Sequence, residues 1–165
     1  MYIYCVTSSL RIFFLPLNIN WALISLLWSK SGAANHQQSF FLVATETKIF
    51  RVDYKTSSSH AIISGHQGNL ALDVDVNNRQ IYWSSRGNRA IFRADIDGTN
   101  TVRVTDKNIG MCGGLAVEWR SNLLYWTDAT FDKIEVASLN GRNRRVLFHD
   151  DLIDPWGIAV EPEAG

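Results

Sequence analysis

The segment "NLLYWTDATFDKIEVASLNGRNRRVL" (122–147) decides the fold, because a second copy of its pattern, "RQIYWSSRGNRAIFRADIDGTNTVRV", stands upstream at 79–104. Trp83 and Trp126 lie 43 residues apart, as do Leu72 and Leu115, Tyr82 and Tyr125, Ile91 and Ile134, Gly98 and Gly141, and Val104 and Leu147. The same register relates "GGLAVEW" to "WGIAVEP", while "KIFRVD" (48–53) precedes "AIFRAD" (90–95) by 42. Self-similarity at a fixed period of this size marks a repeat architecture.

Each unit divides into four short strands. "GLAVEW" alternates apolar and polar, "LLYWTD" is an apolar-aromatic run, "KIEVASL" alternates again, and "RRVLF" closes the unit. Asn-Gly and Asp-Gly pairs in "LNG" and "IDG" are strong short-range hairpin signals. A repeated four-stranded antiparallel unit of about 40–45 residues is a β-propeller blade. Period-2 alternation without capped 3.6-residue patterns argues against a helical solenoid. The chain is therefore expected to be all-β. It would hold a partial unit over about 40–71, full units over 72–114 and 115–157, and the start of a fourth over 158–165.

Within a blade, Tyr82, Trp83, Tyr125 and Trp126 are expected to pack between neighbours, each aromatic burying roughly 150–250 Å². Asp128 is expected to hold backbone or hydroxyl donors of the following turn, because a buried carboxylate requires hydrogen-bonding partners. Gly98 and Gly141 serve the tight third-to-fourth turns. The Tyr-Trp-Thr-Asp run thus carries structure rather than catalysis.

Charge is balanced, with 16 basic and 16 acidic residues, so no global field points to nucleic acid or an anionic membrane. Residues 1–34 differ from the rest, holding only Arg11 and Lys30 as charges. The apolar block Trp21–Trp28 has the size of a leader's apolar core, and "SGAA" (31–34) supplies small residues for cleavage. Residues 1–34 therefore read as a signal peptide or signal anchor, with a structural N-terminus as the remaining alternative, and 35–165 as an incomplete propeller. Of the two cysteines, Cys112 falls at an apolar position of the repeat, where a small buried thiol fits.

The phrases "LLYWTD", "IEVASLNGRNRRVL" and "DPWGIAVEP" resemble the YWTD (class B) repeats of the low-density lipoprotein receptor family, most closely its Wnt co-receptor branch. The resemblance covers about Phe40–Pro162. It is strongest over 115–157 and eroded over 72–114, where Ser85 replaces the Asp and Cys112 the Pro. It implies a partial six-bladed β-propeller and a non-enzymatic, extracellular, protein-binding module. The implied source is a receptor ectodomain at the plasma membrane, serving endocytosis or Wnt signalling. Neighbouring blades and an EGF-like module would be structural partners. A secreted decoy form is an alternative, in which the ring is completed by another chain.

In an antiparallel meander, the first-to-second and third-to-fourth turns share one face of the ring. The longer second-to-third loops and inter-blade links share the other. The resemblance places ligand recognition on that second face, with Glu46, Asn69, Arg86, Asn88, Thr130, Phe131 and Trp156 as contact candidates. Trp156 could equally cover the rim of the channel. The "RNRR" run (142–145) reads as a solvated hairpin. No catalytic motif, cofactor signature or metal-ligand spacing stands out, and neither nucleic acid nor a small-molecule substrate is expected. A metal-dependent six-bladed hydrolase or lactonase remains the alternative class, with Asp73 and Asp75 as its conceivable acids.

Overall fold

The computed structural model describes residues 40–53 and 55–160, and residues 23–27 as backbone only; Asn69 and Leu70 are likewise described as backbone only. Three four-stranded antiparallel sheets follow one another along the chain. Blade 1 comprises β1 (Leu23–Leu27), β2 (Phe40–Ala44), β3 (Lys48–Asp53) and β4 (Ser59–Ser64). Blade 2 comprises β5 (Asn69–Asp75), β6 (Gln80–Ser85), β7 (Ala90–Asp95) and β8 (Val102–Thr105). Blade 3 comprises β9 (Leu115–Glu118), β10 (Leu123–Asp128), β11 (Lys133–Ser138) and β12 (Arg145–Phe148). No helix occurs among the described residues. An all-β partial propeller is thus the fold, and β5 and β9 pack side by side as inner strands.

The first blade departs from the sequence expectation. Moving β5 back by the 42-residue register lands on "LWSKSGA" (27–33), too polar and small for an inner strand. The structure instead takes "LISLL" from the stretch assigned to the leader, pairing Leu23 with Ala44 and Leu27 with Phe40. Four apolar residues around Ser25 suit either a leader core or a strand of a buried sheet, and composition alone does not separate the two. The rest of 1–34 lies outside the described residues. At the other end, Ile158–Val160 forms no strand, and 161–165 also lies outside them.

Packing follows from strand alternation, which sends successive side chains to opposite faces. Trp83 joins Leu42, Ile49 and Ile63 of blade 1 in one core cluster. Its neighbour Tyr82 points the other way, joining Leu115, Leu124 and Trp126 of blade 3 in a second. Trp83 and Trp126 are fully buried and Tyr82 is 1% exposed, whereas Tyr125, on the far side of blade 3, is only half-buried. Tyr82 also donates its hydroxyl across the junction to the Leu139 carbonyl at 3.3 Å. Burial pushes that phenol up to about 12, although Arg93 beside it pulls the other way.

Candidate functional site

The second face is assembled from loops that hold one another. The link between blades 1 and 2 (65–68) lies between two second-to-third loops. The Gly68 amide donates to the Glu46 carbonyl at 2.7 Å, while the Arg86 and Gly87 amides donate to Gly68 and Gln67 carbonyls at 2.8 and 2.9 Å. The next link (106–114) is held in the same way. Arg89 Nε donates to the Ile109 carbonyl, and the Ala129 amide to that of Met111. Beyond it, the Asp154 amide donates to Asp132 Oδ1 at 3.0 Å. The loops therefore form one continuous rim from Glu46 to Trp156.

The Thr-Asp pair supplies the fasteners. Thr127 Oγ1 accepts from the Gly114 amide at 2.9 Å and donates to the Trp156 carbonyl at 2.7 Å, tying the links on both sides of blade 3. Asp128, fully buried, accepts from the Gly110 amide through Oδ2 and the Thr130 amide through Oδ1. At the equivalent place in blade 2, Ser85 has no second carboxylate oxygen and reverses the polarity. Its hydroxyl donates to the Gln67 carbonyl at 2.8 Å, the residue 43 positions before Gly110. Erosion of the motif therefore preserves the fastening by exchanging acceptor for donor.

The candidate contact residues divide accordingly. Glu46, Arg86 and Phe131 are exposed at the rim, Phe131 at 44% with the Lys133 ammonium 5.0 Å from its ring centre. Asn88 is exposed but engaged, its side-chain amide lying 2.8 Å from Ser85 Oγ. Thr130 Oγ1 accepts from the Met111 amide at 2.8 Å. Trp156 is half-buried and lies flat over Gly113, where an added Cβ would come within 2.7 Å of the indole. It covers the link rather than standing free as an anchor. Asn69 opens β5, and its side chain lies outside the described residues. Sequence reasoning missed Ile153, 87% exposed beside Asp154 on the same rim. Its one signal was a bulky apolar side chain in an otherwise polar link.

The acids proposed for a hydrolase perform backbone work. Asp73 accepts from its neighbour Val74 and from the Val117 amide on β9 at 2.7 Å, joining inner strands of two blades. Burial pushes its carboxyl up to about 6 against the pull of those two amides. Asp75 caps the first turn by accepting from the Asn77 and Asn78 amides. No group of three or more His, Cys, Asp or Glu converges among the described residues. Cys112 is buried, its thiol pushed far up by desolvation.

Arg144 corrects the expectation of a solvated "RNRR" hairpin. It donates twice to Glu135, Nε to Oε1 at 3.0 Å and Nη2 to Oε2 at 2.7 Å, and also bonds the Lys107 and Asn108 carbonyls on the neighbouring link. Periodicity could not show this, because Glu135 falls on the buried face, at a position where blade 2 carries Phe92.

Comparison with known proteins agrees with this architecture. Residues 122–160 match the low-density lipoprotein receptor repeat class B. The chain is 36% identical over 112 residues to low-density lipoprotein receptor-related protein 5 of Mus musculus, covering 65% of this chain but 7% of that protein. Among solved structures, a chain of the nidogen/laminin complex superposes with a TM-score of 0.70 at 28% identity, over 74% of this chain and 49% of that one. A TolB-like protein of Agrobacterium tumefaciens reaches 0.53 at 20% identity, over 67% and 45%, a likeness of fold alone.

Proposed function

We propose that the chain, which matches the low-density lipoprotein receptor repeat class B over 122–160 and is built as part of a β-propeller, is a non-enzymatic, extracellular protein-binding module. It would bind protein ligands through the second-face rim, as part of a receptor ectodomain acting in endocytosis or Wnt co-receptor signalling. The observation that supports this is the rim itself. Its backbone is fixed by the links, yet Glu46, Arg86, Phe131 and Ile153 project outward beside Asp132 and Asp154. A rigid display of an aromatic, an aliphatic and charges of both signs suits protein recognition, where buried aromatic and Arg anchors dominate affinity. Titratable groups of the interior serve turns and junctions instead.

The test is a binding screen of the purified chain against an arrayed panel of secreted and cell-surface proteins. Each hit is repeated with Arg86→Ala/Phe131→Ala and with Arg120→Ala/Asn140→Ala on the tight-turn face. Loss of binding confined to the first pair is expected. Loss confined to the second pair would refute the rim as the recognition surface.

A further inference from the structure

The "RNRR" run (142–145) is a charged motif that the repeat does not require. Counting back 43 residues, Arg142, Arg144 and Arg145 stand where blade 2 carries Thr99, Thr101 and Val102. The same turn therefore folds with neutral residues, and the arginines are an addition of blade 3. Their spacing puts a guanidinium at the first, second and fourth positions before the Arg145–Val146 bond. Subtilisin-type proprotein convertases read that pattern, because carboxylates lining their clefts pair with each of those guanidiniums.

Most of the segment is accessible in the folded chain. Arg142, Asn143 and Arg145 are exposed, as are Val146 and Leu147 beyond the bond. That exposure belongs to the turn itself, since residues 99–103 of blade 2 are equally open although blade 3 packs beside them. The strand that follows, β12, has four residues and meets β11 at three pairs around a register shift. A short outermost strand of this kind opens locally at little cost, and exposed turn tips are where proteolytic nicking concentrates.

Two features hold the site shut. Asn143 has φ 56°, a left-handed residue inside a run that a protease cleft binds extended. Arg144 is turned inward, bonded to Glu135 through Nε and Nη2, to Thr105 Oγ1 at 3.3 Å, and to the Lys107 and Asn108 carbonyls. Removing one partner of a covered ion pair is costly when the other is left uncompensated. Here Lys133 Nζ also lies 3.1 Å from Glu135 Oε2, so Arg144 can withdraw without stranding the carboxylate. The pair is built to open. Residues 86–89 ("RGNR") offer a comparison within the molecule. They carry arginine at the first and fourth positions only, and their loop is bonded to the links on both sides.

We propose that the third-to-fourth turn of blade 3 is a processing site for a dibasic-specific, subtilisin-type endoprotease, cut between Arg145 and Val146 and gated by the Glu135–Arg144 pair. Hydrolysis adds one water across that bond, leaving a carboxylate on Arg145 and an ammonium group on Val146. The cut severs β12 from its turn, so a closed second junction preserves blade 3 and an opened one gives it up. The site rests on the extracellular reading above for the protease it meets. The cut itself is measured directly, so its failure leaves ligand binding by the rim untouched.

The test incubates the purified chain with a soluble proprotein convertase at neutral pH with calcium, and identifies the products by mass spectrometry. A slow cut after Arg145 is expected, with none after Arg89. Arg142→Ala and Arg145→Ala, both at exposed positions, should each slow it by about tenfold or more, and Glu135→Gln should speed it by about tenfold, because cleavage tracks the population of the open form. Lys133→Met should act in the opposite sense and slow the cut, since Glu135 would then be stranded when Arg144 withdraws; a merely destabilising change would speed it. Trypsin, which needs only one Lys or Arg, separates local from general opening. Glu135→Gln should accelerate it after Arg144 and Arg145 and not after Arg51 or Arg93 within β3 and β7. No convertase cut in either the parent or Glu135→Gln, or a first cut after Arg89, overturns the site. A faster cut in Lys133→Met, or trypsin acceleration spread over the whole chain, overturns the gate.

Discussion

The two inter-blade junctions place the same tryptophan against opposite neighbours. At the first, Trp83 pairs across strands with Phe92, their rings stacked at 5.6 Å and 17°, and His66 abuts both rings edge-on at 5.4 and 4.4 Å. At the second, Trp126 pairs across strands with Glu135, and the Arg144 guanidinium lies 5.2 Å from the indole centre. Phe92 and Glu135 occupy equivalent positions 43 residues apart. One junction is sealed by aromatic packing and the other by a buried ion pair fixed to the next link. A repeat therefore specifies the geometry of a junction without specifying its chemistry, provided each solution leaves no buried charge unpaired.

The comparison breaks most directly at the shared element. Trp83→Ala and Trp126→Ala should each destabilise the chain by about 3–5 kcal/mol in denaturant unfolding, the usual loss for a buried Trp. Near-neutral behaviour at either site would mean that the flanking chemistry, rather than the indole, holds that junction.

Next in size is the ion pair. Glu135→Ala leaves Arg144 mostly covered without its carboxylate, and should cost about 3 kcal/mol. The double change Glu135→Phe/Arg144→Thr copies the residues that blade 2 carries at Phe92 and Thr101, and should recover most of that loss, to within about 1.5 kcal/mol of the parent. A double variant as unstable as the single one would show that Arg144's bonds to the link, which the exchange also removes, matter more than its partner.

How far these junctions were legible in the sequence follows from what repeats. The 43-residue register located β6, β7, β10 and β11 and both buried tryptophans, because identical spacing reports identical backbone. It could not locate β1, whose connection to β2 is longer than elsewhere, nor assign Asp73, Arg89 and Arg144, which bond across to another blade or to an inter-blade link. Those contacts depend on how blades sit against one another, and a strand's own alternation carries no record of that. The rim fared in between. Loop positions followed from strand order, but only coordinates separated exposed Arg86 and Phe131 from Asn88, Thr130 and Trp156, which are occupied in holding the links.

Acid should sharpen the difference between junctions. Burial, aided by Arg103, lowers the His66 pKa against the bond that the imidazole donates to Asn88. That group's contribution to stability is complete above the ordinary value of 6.5 and is lost as pH falls through 6.5 toward the folded-state value. Asp73, bridging the second junction, has its pKa raised to about 6, so its contribution is complete below the ordinary carboxylate range and is lost as pH rises through about 6. Each proton contributes a slope of at most about 1.4 kcal/mol per pH unit. Unfolding measured from pH 4 to 8 should show a weaker rise of stability with pH in His66→Phe. In Asp73→Asn it should show a steeper one. Parallel curves for both variants would mean that other groups govern the profile.

The smallest expected effect on stability separates the causes acting on His66. Arg103 lies on the solvent side of the first junction, 51% exposed in its pair with Asp106 and 5.6 Å from the Phe92 ring centre. An exposed pair of this kind is worth under about 1 kcal/mol, so Arg103→Ala should leave the unfolding midpoint nearly unchanged. The same substitution removes a cation that opposes protonation of His66, and the imidazole's titration, followed by NMR, should move upward toward 6.5. Added salt should produce part of that shift in the parent chain and none in the variant, since screening acts on the exposed charge and leaves burial untouched. A titration that ignores both salt and the substitution would assign the depression to the aromatic enclosure alone, and the first junction would then be apolar in its electrostatics as well as in its packing.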